Sequence, residues 1–264
     1  MIASISTKDQ KELKYAKSIL ENPGLPAKIV NAFGFPIEKG FEYLPDHWEA
    51  RVVALSEAAL RTGLRIAIQS LNADDTDLKR ESSNTFHKLC VAASGSIGGA
   101  FGLSTLALEL PITTTLMLRS IADIARSEGE NLSEIEPRLS CLEVFALGGT
   151  DSSDDCTETG YYVVRAALSN AILNASRYIT QSSIIDDAAP ILLQLLVKIS
   201  SRFGMVVSEK IAATALPIIG AAGGAMINIL FMDHFQDMAR GHFIVRRLER
   251  IYGTNAVQEA YLQI

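Results

Sequence analysis

Five side chains in this sequence have the chemistry of a hydrolytic site: Glu109, Glu143, Asp233, His234 and His242. Carboxylates and imidazoles can hold a metal ion, and they can also activate a water molecule as general bases. A hydrolase-like enzyme that activates water, with or without a metal ion, is therefore one functional hypothesis. The five residues are spread over about half of the chain, so they form a site only if the fold brings them together.

Two of these candidates, His234 and His242, lie eight residues apart in a segment with helical periodicity. Eight residues correspond to about 12 Å along a helix axis, which is too far for one metal ion unless Gly241 breaks the helix. The spacing of Phe235 and Met238 places His242 on the apolar stripe that faces the core. The segment contains no HExxH motif and no cysteine pair lies nearby, so we predict no metal site and no cofactor.

The carboxylates Glu109 and Glu143 each allow two interpretations. Glu109 precedes Pro111, and Pro111 is expected to begin a helix that reaches about Ser127. Glu109 can therefore serve a site, or it can interact with the positive end of that helix dipole. Glu143 lies within an apolar helical segment, where a charge needs a partner. Either an arginine is that partner, in a structural ion pair, or Glu143 is the carboxylate of a functional site.

Three polar residues near the expected start of the same helix are candidate binding residues. The hydroxyls of Thr113 and Thr114 can contact an anion at a helix N-terminus, although such threonines more commonly satisfy backbone or core neighbours. Arg119 lies four residues before Asp123, so an ordinary helix salt bridge also explains it. We keep all three as candidate binding residues.

The C-terminal part of the long helical segment carries a basic cluster formed by Arg246, Arg247 and Arg250. Near an anionic membrane each such cation contributes about 1 kcal/mol to binding. The cluster therefore predicts contact with anionic lipid headgroups. The alternative is that these arginines compensate the helix dipole and form surface ion pairs.

Composition restricts the class of protein. The chain has 264 residues, of which 48% are hydrophobic and 20% charged, which argues against disorder. The formal net charge of −6 argues against a general affinity for nucleic acid, so no nucleic-acid partner is predicted. The P-loop, the GxSxG elbow and the GxGxxG fingerprint are all absent, which removes support for nucleotide hydrolysis and for standard esterase chemistry.

The cellular location is predicted from the N-terminus and the cysteines. The first ten residues lack the basic and apolar regions of a secretory signal. Three cysteines without a CxxC pair fit a reducing compartment: Cys90, Cys141 and Cys156. We therefore expect a cytoplasmic protein, with membrane association as a further possibility.

Helical patterns dominate the chain, and no convincing strand pattern exceeds five residues. The prediction is an all-α, compact multi-helix bundle. Helices are expected over 7–21, 46–71, 111–127, 160–181, 187–203, 208–215 and from Pro217 to about Gly241, resuming through Tyr252, with a further helix ending at Gly148-Gly149. Gly129 is expected to be a left-handed C-cap. A polar linker over 72–83 and an acidic loop over 150–159 separate these helices.

Two uncharged runs raise the question of membrane insertion. The runs are 91–108 and 211–232, and both contain GxxxG spacings: Gly95 with Gly99, Gly98 with Gly102, and Gly220 with Gly224. Glycines spaced in this way allow close helix packing. Proline at 217 shortens the second run to about 24 Å of helix, and glycines dilute the first. We therefore expect two Gly-rich helices that pack at the centre of the bundle, with reversible membrane insertion as the alternative.

Long strings in the chain resemble the EcsC family. They are LALELPITTTLMLRSIADIA and SCLEVFALGG within 106–149, then ETGYYVVR, ISSRFGMVVSEK, ALPIIGAAGGAMIN and DHFQDMARGHFIVRRLERIYG. The resemblance covers about 36–264 and implies an EcsC-like all-helical domain there, with two halves joined by the acidic loop. Residues 1–35 would then be an N-terminal amphipathic helical segment.

The resemblance implies little chemistry. The family is bacterial, it has no established molecular activity, and it is named after a protein encoded beside the subunits of an ABC transporter. We expect a non-enzymatic cytoplasmic protein that binds a membrane surface, anionic lipid or a membrane protein, which the resemblance extends to ABC transporter subunits. The alternative is the hydrolase-like enzyme described above.

Overall fold

The computed structural model describes residues 5–21, 24–69, 103–149, 160–182, 186, 188–216 and 220–264. Within these ranges the chain forms helices and no strands, which confirms the all-α prediction. The helices are α1 (Thr7–Leu20), α2 (Leu25–Phe33), α3 (Glu38–Phe41), α4 (Trp48–Gln69), α5 (Leu103–Ser127), α6 (Ile135–Leu147), α7 (Gly160–Gln181), α8 (Pro190–Ala215), α9 (Gly220–Tyr252) and α10 (Thr254–Gln263).

Local sequence signals explain several helix ends. The hydroxyl of Ser6 accepts a hydrogen bond from the amide of Asp9, so Ser6 is the N-cap of α1. Gly129 has φ of +82° after the end of α5, and the amide of Glu130 donates to the carbonyl of Ala125. This geometry confirms the left-handed C-cap that was predicted at Gly129.

Three predicted helix boundaries are wrong. Helix α5 includes Pro111 rather than beginning there, so packing outweighs the amide bond that proline removes. Helix α8 is continuous, although two helices with a break near 205 were expected. Helix α9 runs unbroken through Gly241 for 33 residues. Glycine and proline lower local helix propensity, but tertiary contacts decide whether a helix ends.

The core is a contiguous set of apolar side chains between the longer helices. At its centre an aromatic cluster joins α6, α8 and α9, where the rings of Phe145 and Phe203 lie 5.0 Å apart and those of Phe145 and Phe235 lie 5.2 Å apart. Phe231 and Phe235 pack edge to face at 5.2 Å. The predicted apolar stripe of α9 is therefore buried, and it includes His242.

Helices α5 and α9 run in the same direction. Near their starts the side chain of Asn228 donates to Glu109, at 2.9 Å. Two to three turns later Gln236 donates to the hydroxyl of Ser120, at 2.8 Å. The first turns of both helices consequently lie at the same end of the bundle.

Helix α8 is the one described helix that is both long enough and apolar enough to cross a bilayer. Half of its most apolar window is buried by the rest of the protein. A core helix of this length passes the same test, so its composition gives only weak support for a membrane span.

Several predicted features lie outside the described residues. These are the glycine pairs over 95–102, the linker 72–83, the acidic loop 150–159, Cys90 and Cys156. Of the remaining GxxxG pair, Gly220 opens α9 with φ of +56° and Gly224 is buried in its second turn. The close packing of two Gly-rich helices therefore stays a prediction, as does the division into two halves.

Gly40 allows α3 to lie directly against the backbone of α8. A Cβ atom at this position would come within 1.8 Å of the carbonyl oxygen of Ala212, and that backbone cannot move without shifting α8. We expect Gly40→Ala to lower the free energy of unfolding by about 3 kcal/mol in urea titrations. Gly160→Ala is the control, because no described residue lies within 4 Å of its added Cβ. Equal stability of the two variants would contradict the close approach of α3 to α8.

Candidate functional site

Glu143 and His242, two of the predicted catalytic residues, meet in the interior between α6 and α9. The Nε2 atom of His242 lies 3.7 Å from a carboxylate oxygen of Glu143, and its Nδ1 atom lies 3.1 Å from the hydroxyl of Tyr161 on α7. The His242 side chain is fully buried and that of Glu143 is 5% exposed. The three side chains therefore form a continuous polar layer inside an apolar bundle.

Burial sets the protonation of this layer. Desolvation raises the pKa of Glu143 to about 7, and the positive charges of Arg165 and Arg246 oppose the shift without cancelling it. Desolvation also holds the pKa of His242 well below its usual value, and the same two arginines add to that effect. His242 is therefore neutral at neutral pH, and Glu143 is poised between its two protonation states.

His234 has a structural partner of its own. Its Nε2 atom lies 3.0 Å from the carbonyl oxygen of Gly148, just past the end of α6. A Cβ at Gly148 would lie 2.3 Å from that nitrogen, so the His234 ring can occupy this position only because residue 148 has no side chain. Burial lowers the pKa of His234 to about 4, which leaves the ring neutral. The neighbouring Asp233 is half-buried on α9.

Glu109 forms a buried ion pair that contacts neither histidine. One of its carboxylate oxygens accepts from the ammonium group of Lys210, at 2.6 Å, and from the amide of Asn228, at 2.9 Å. The side chain of Lys210 is 3% exposed, and its ammonium group lies 4.9 Å from the centre of the Phe231 ring. Glu109 thus joins α5 to both α8 and α9 rather than capping a helix that begins at Pro111.

The five candidate catalytic residues do not converge. Asn228, the partner of Glu109, precedes His242 by 14 residues on one helix, which corresponds to about 21 Å. His234 and His242 are separated by about 12 Å along the same helix. Across the described ranges, no three His, Cys, Asp or Glu side chains are placed to hold a metal ion. Only Glu143 and His242 form a unit.

The three candidate residues of α5 have different surroundings. Thr113 and Thr114 are fully buried, and neither hydroxyl has a hydrogen-bond partner among the described residues. Helix α5 extends eight residues upstream of Pro111, so these hydroxyls do not lie at a helix N-terminus. Arg119 is exposed, and the carboxylate of Asp123 bonds to Arg126 at 3.0 Å.

The arginine cluster near the end of α9 is occupied by carboxylates of this chain. Arg246 contacts both Glu130 and Glu136, with nitrogen to oxygen distances between 2.8 and 3.1 Å. Arg250 also pairs with Glu130. Arg247 pairs with Glu128, at 2.7 Å, and with Glu12 of α1. These cations are held by internal ion pairs, so their charge is largely compensated within the protein.

Large apolar side chains are exposed where α5 and α9 begin. Leu108 is 76% exposed and Ile112, one helical turn later, is 55% exposed. Met226 on α9 is 46% exposed at the same end of the bundle. We call Leu108, Ile112 and Met226 the apolar end. Because Leu108 and Ile112 share one helix face, they form a patch rather than isolated exposed residues.

Sequence inspection missed several residues that complete these contacts. Lys210 was visible as a lone cation at the edge of an uncharged run, but its partner is 101 residues away. Tyr161 and Arg165 belong to the ETGYYVVR string, which carries no recognised catalytic spacing. Arg165 forms a bidentate pair with Glu249, at 2.8 and 2.9 Å. Such partners are set by helix packing and not by spacing along the chain.

The raised pKa of Glu143 gives a test of the buried layer. A carboxyl group whose pKa rises on folding stabilises the protein at low pH, and this stabilisation is lost as the pH rises from about 4.5 to 7. We expect Glu143→Gln to be about 3 kcal/mol more stable than the parent at pH 8, with the difference falling to near zero by pH 4. Urea unfolding across this range measures the difference. Glu259→Gln, at an exposed position, controls for the lost charge, and a pH-independent effect of Glu143→Gln would contradict the assignment.

The Glu109–Lys210 pair predicts a non-additive pair of substitutions. Lys210→Met leaves a buried carboxylate without its cation, so we expect it to lower the free energy of unfolding by about 3–5 kcal/mol. Adding Glu109→Gln removes that charge and should recover most of the loss. A double variant as unstable as Lys210→Met would show that the ion pair is not what the single substitution breaks.

Comparison with known proteins agrees with the sequence resemblance and adds no activity. No curated protein and no solved structure matches this chain. The model of the EcsC protein family matches residues 19–248, which covers most of the chain and includes Glu109, Glu143, Lys210 and both buried histidines. The chain therefore belongs to the EcsC protein family.

Proposed function

We propose that this EcsC-family chain is a non-enzymatic cytoplasmic protein that associates peripherally with a membrane surface through its apolar end. The exposed pair Leu108 and Ile112 carries this proposal. Full burial of one large aliphatic side chain contributes about 1.5–3 kcal/mol, so two adjacent side chains supply a useful fraction of a reversible membrane affinity. Met226 extends the contact from α9.

The sequence around the apolar end supports the same placement. An uncharged run over 91–108 ends at Leu108, and the run over 211–232 includes Met226. The described parts of these runs at the starts of α5 and α9, 103–108 and 220–232, carry no charged residue. The paired Glu109 and Lys210 lie just behind this surface with their charges mutually compensated. Shallow contact therefore requires no unpaired charge to enter the lipid.

The arrangement favours lipid contact over the other hypotheses. Anionic lipid contact by Arg246, Arg247 and Arg250 would have to compete with their internal carboxylates. The hydrolase-like alternative needs its five residues around one water molecule or metal ion, and Asn228, the partner of Glu109, lies about 21 Å along α9 from His242. A membrane-protein partner, including the ABC transporter subunits that family kinship suggests, remains an outcome of the experiment.

Substitution of the apolar end tests the proposal. We expect the protein to co-sediment with protein-free phosphatidylcholine vesicles that contain phosphatidylglycerol. Leu108→Ser/Ile112→Ser should weaken this binding roughly tenfold or more, because two apolar side chains no longer leave water. Part of the binding of the parent protein to vesicles should persist at high salt, since salt screens charge interactions and not apolar contacts.

The control replaces exposed apolar residues on another face. Val163 and Leu173 on α7 are 51% and 45% exposed, so Val163→Ser/Leu173→Ser changes a comparable apolar surface. This variant should bind vesicles as the parent does. Equal loss in both variants, or no vesicle binding by the parent, would contradict membrane contact at the apolar end. Binding only to vesicles that contain transporter subunits would assign the surface to a membrane protein instead.

A further inference from the structure

We propose that α1 is a detachable basic amphipathic helix, which leaves α9 and binds an anionic lipid surface. This inference rests on the proposed function, because it supplies a charge-dependent contact with the same membrane. Helix α1 is almost entirely outside the matched family region, which begins at residue 19. It therefore lies on the EcsC domain as an addition with its own contacts.

The two faces of α1 differ in chemistry. Leu13 and Ala16 are its fully buried residues, and they pack in a small core with the C-terminal part of α9. Lys8, Lys11 and Lys14 lie on the outer surface of the helix. A helix with apolar residues on one side and lysines on the other is the type that lies in the interface of an anionic membrane.

The lysines of α1 lack the close carboxylate partners that the arginines of α9 have. Lys11 and Lys14 are exposed and contact no carboxylate in the described part of the chain. Lys8 is 84% exposed and reaches Glu12 only at 3.9 Å. Exposed pairs at such distances contribute little. An anionic headgroup would therefore meet three cations that have no strong internal partner.

The contact that holds α1 depends on one glycine. A Cβ atom at Gly241 would lie 2.6 Å from Cγ of Leu20 and 3.1 Å from Cγ1 of Ile19. The absence of a side chain at Gly241 thus lets the end of α1 approach α9. Since only two side chains of α1 are fully buried, a small steric change here is expected to shift the helix between its bound and released states.

Polar contacts fasten the other end of α1. The hydroxyl of Tyr252 donates to Asp9, at 2.6 Å, and Arg247 pairs with Glu12. The side chains of Arg247 and Glu12 are 26% and 32% exposed, so salt and competing anions reach this pair. In the last turn of α1, Lys17 donates to the backbone carbonyl of Tyr261 on α10, at 3.1 Å. The buried residues of α1, Leu13 and Ala16, belong to the smaller core cluster and lie outside the main one.

The geometry allows the released helix to reach the apolar end. Leu20 lies at Gly241, which follows Asn228 by 13 residues, or about 20 Å along α9. Helix α1 has 14 residues and is about 21 Å long. Turning about its C-terminal end, it spans the distance to the surface where Leu108 and Met226 are exposed. Lysines and apolar residues would then contact one bilayer together.

The first experiment measures release without lipid. Gly241→Ala should raise hydrogen exchange of the α1 amides at least tenfold, while exchange in α6 and α8 stays unchanged. Gly204→Ala is the matched control, since it also places alanine within a long helix but its Cβ meets only Ser56 Oγ, at 3.8 Å. Should Gly241→Ala fail to fold, Glu12→Gln/Tyr252→Phe removes the polar fastening instead and should give the same exchange pattern.

The second experiment measures binding to vesicles that contain phosphatidylglycerol. Gly241→Ala should bind at least threefold more tightly than the parent at low salt, and the gain should vanish at high salt or with phosphatidylcholine alone. Lys11→Glu/Lys14→Glu in the Gly241→Ala protein should abolish the gain while α1 stays released.

Two results overturn the proposal. One is unchanged α1 exchange in both release variants, which makes α1 a fixed part of the bundle. The other is a released α1 that adds no salt-sensitive binding to anionic vesicles. Failure of this proposal can be distinguished from failure of the proposed function. The proposed function predicts salt-resistant vesicle binding that Leu108→Ser/Ile112→Ser removes, and this binding does not depend on Gly241.

Discussion

The polar side chains of α9 determine how the rest of the bundle is arranged. A buried polar group without a partner costs more free energy than most single contacts provide. Along α9, Asn228 and Gln236 bond to α5, His234 to the residue after α6, and His242 to α7. The four bonds fix three neighbours at different positions along the axis of α9, and α5 is fixed at two of them. A helix with an entirely apolar surface would allow its neighbours to slide or rotate, so these contacts specify one packing arrangement.

The overall architecture could be predicted because apolar periodicity is a local property. The fold class, α7 and the C-cap at Gly129 follow from residue spacing, and the structure confirms all three. The helix boundaries predicted at Pro111 and Gly241 are wrong for the same physical reason. Local propensity disfavours a helix at both positions, but neighbouring helices stabilise it by more than that local cost.

The candidate site was less accessible to sequence reasoning, since its contacts join distant parts of the chain. Glu143 was recognised as a buried acid in need of a partner and was grouped with His242 among five candidate catalytic residues, of which these two meet. Glu109 bonds to residues 101 and 119 positions away, which no spacing rule predicts. The sequence does not reveal the apolar end, because Leu108 is one apolar residue in a long uncharged run and its exposure depends on helix packing.

Cys141 lies at the centre of α6, fully buried and without a disulfide. Burial raises the pKa of its thiol, so the reactive thiolate is scarcely formed while the protein is folded. Oxidants and alkylating reagents reach this sulfur only when α6 separates from the surrounding helices. The rate at which the Cys141 thiol reacts consequently reports the opening of the core, and this residue is unsuited to redox sensing in the native state.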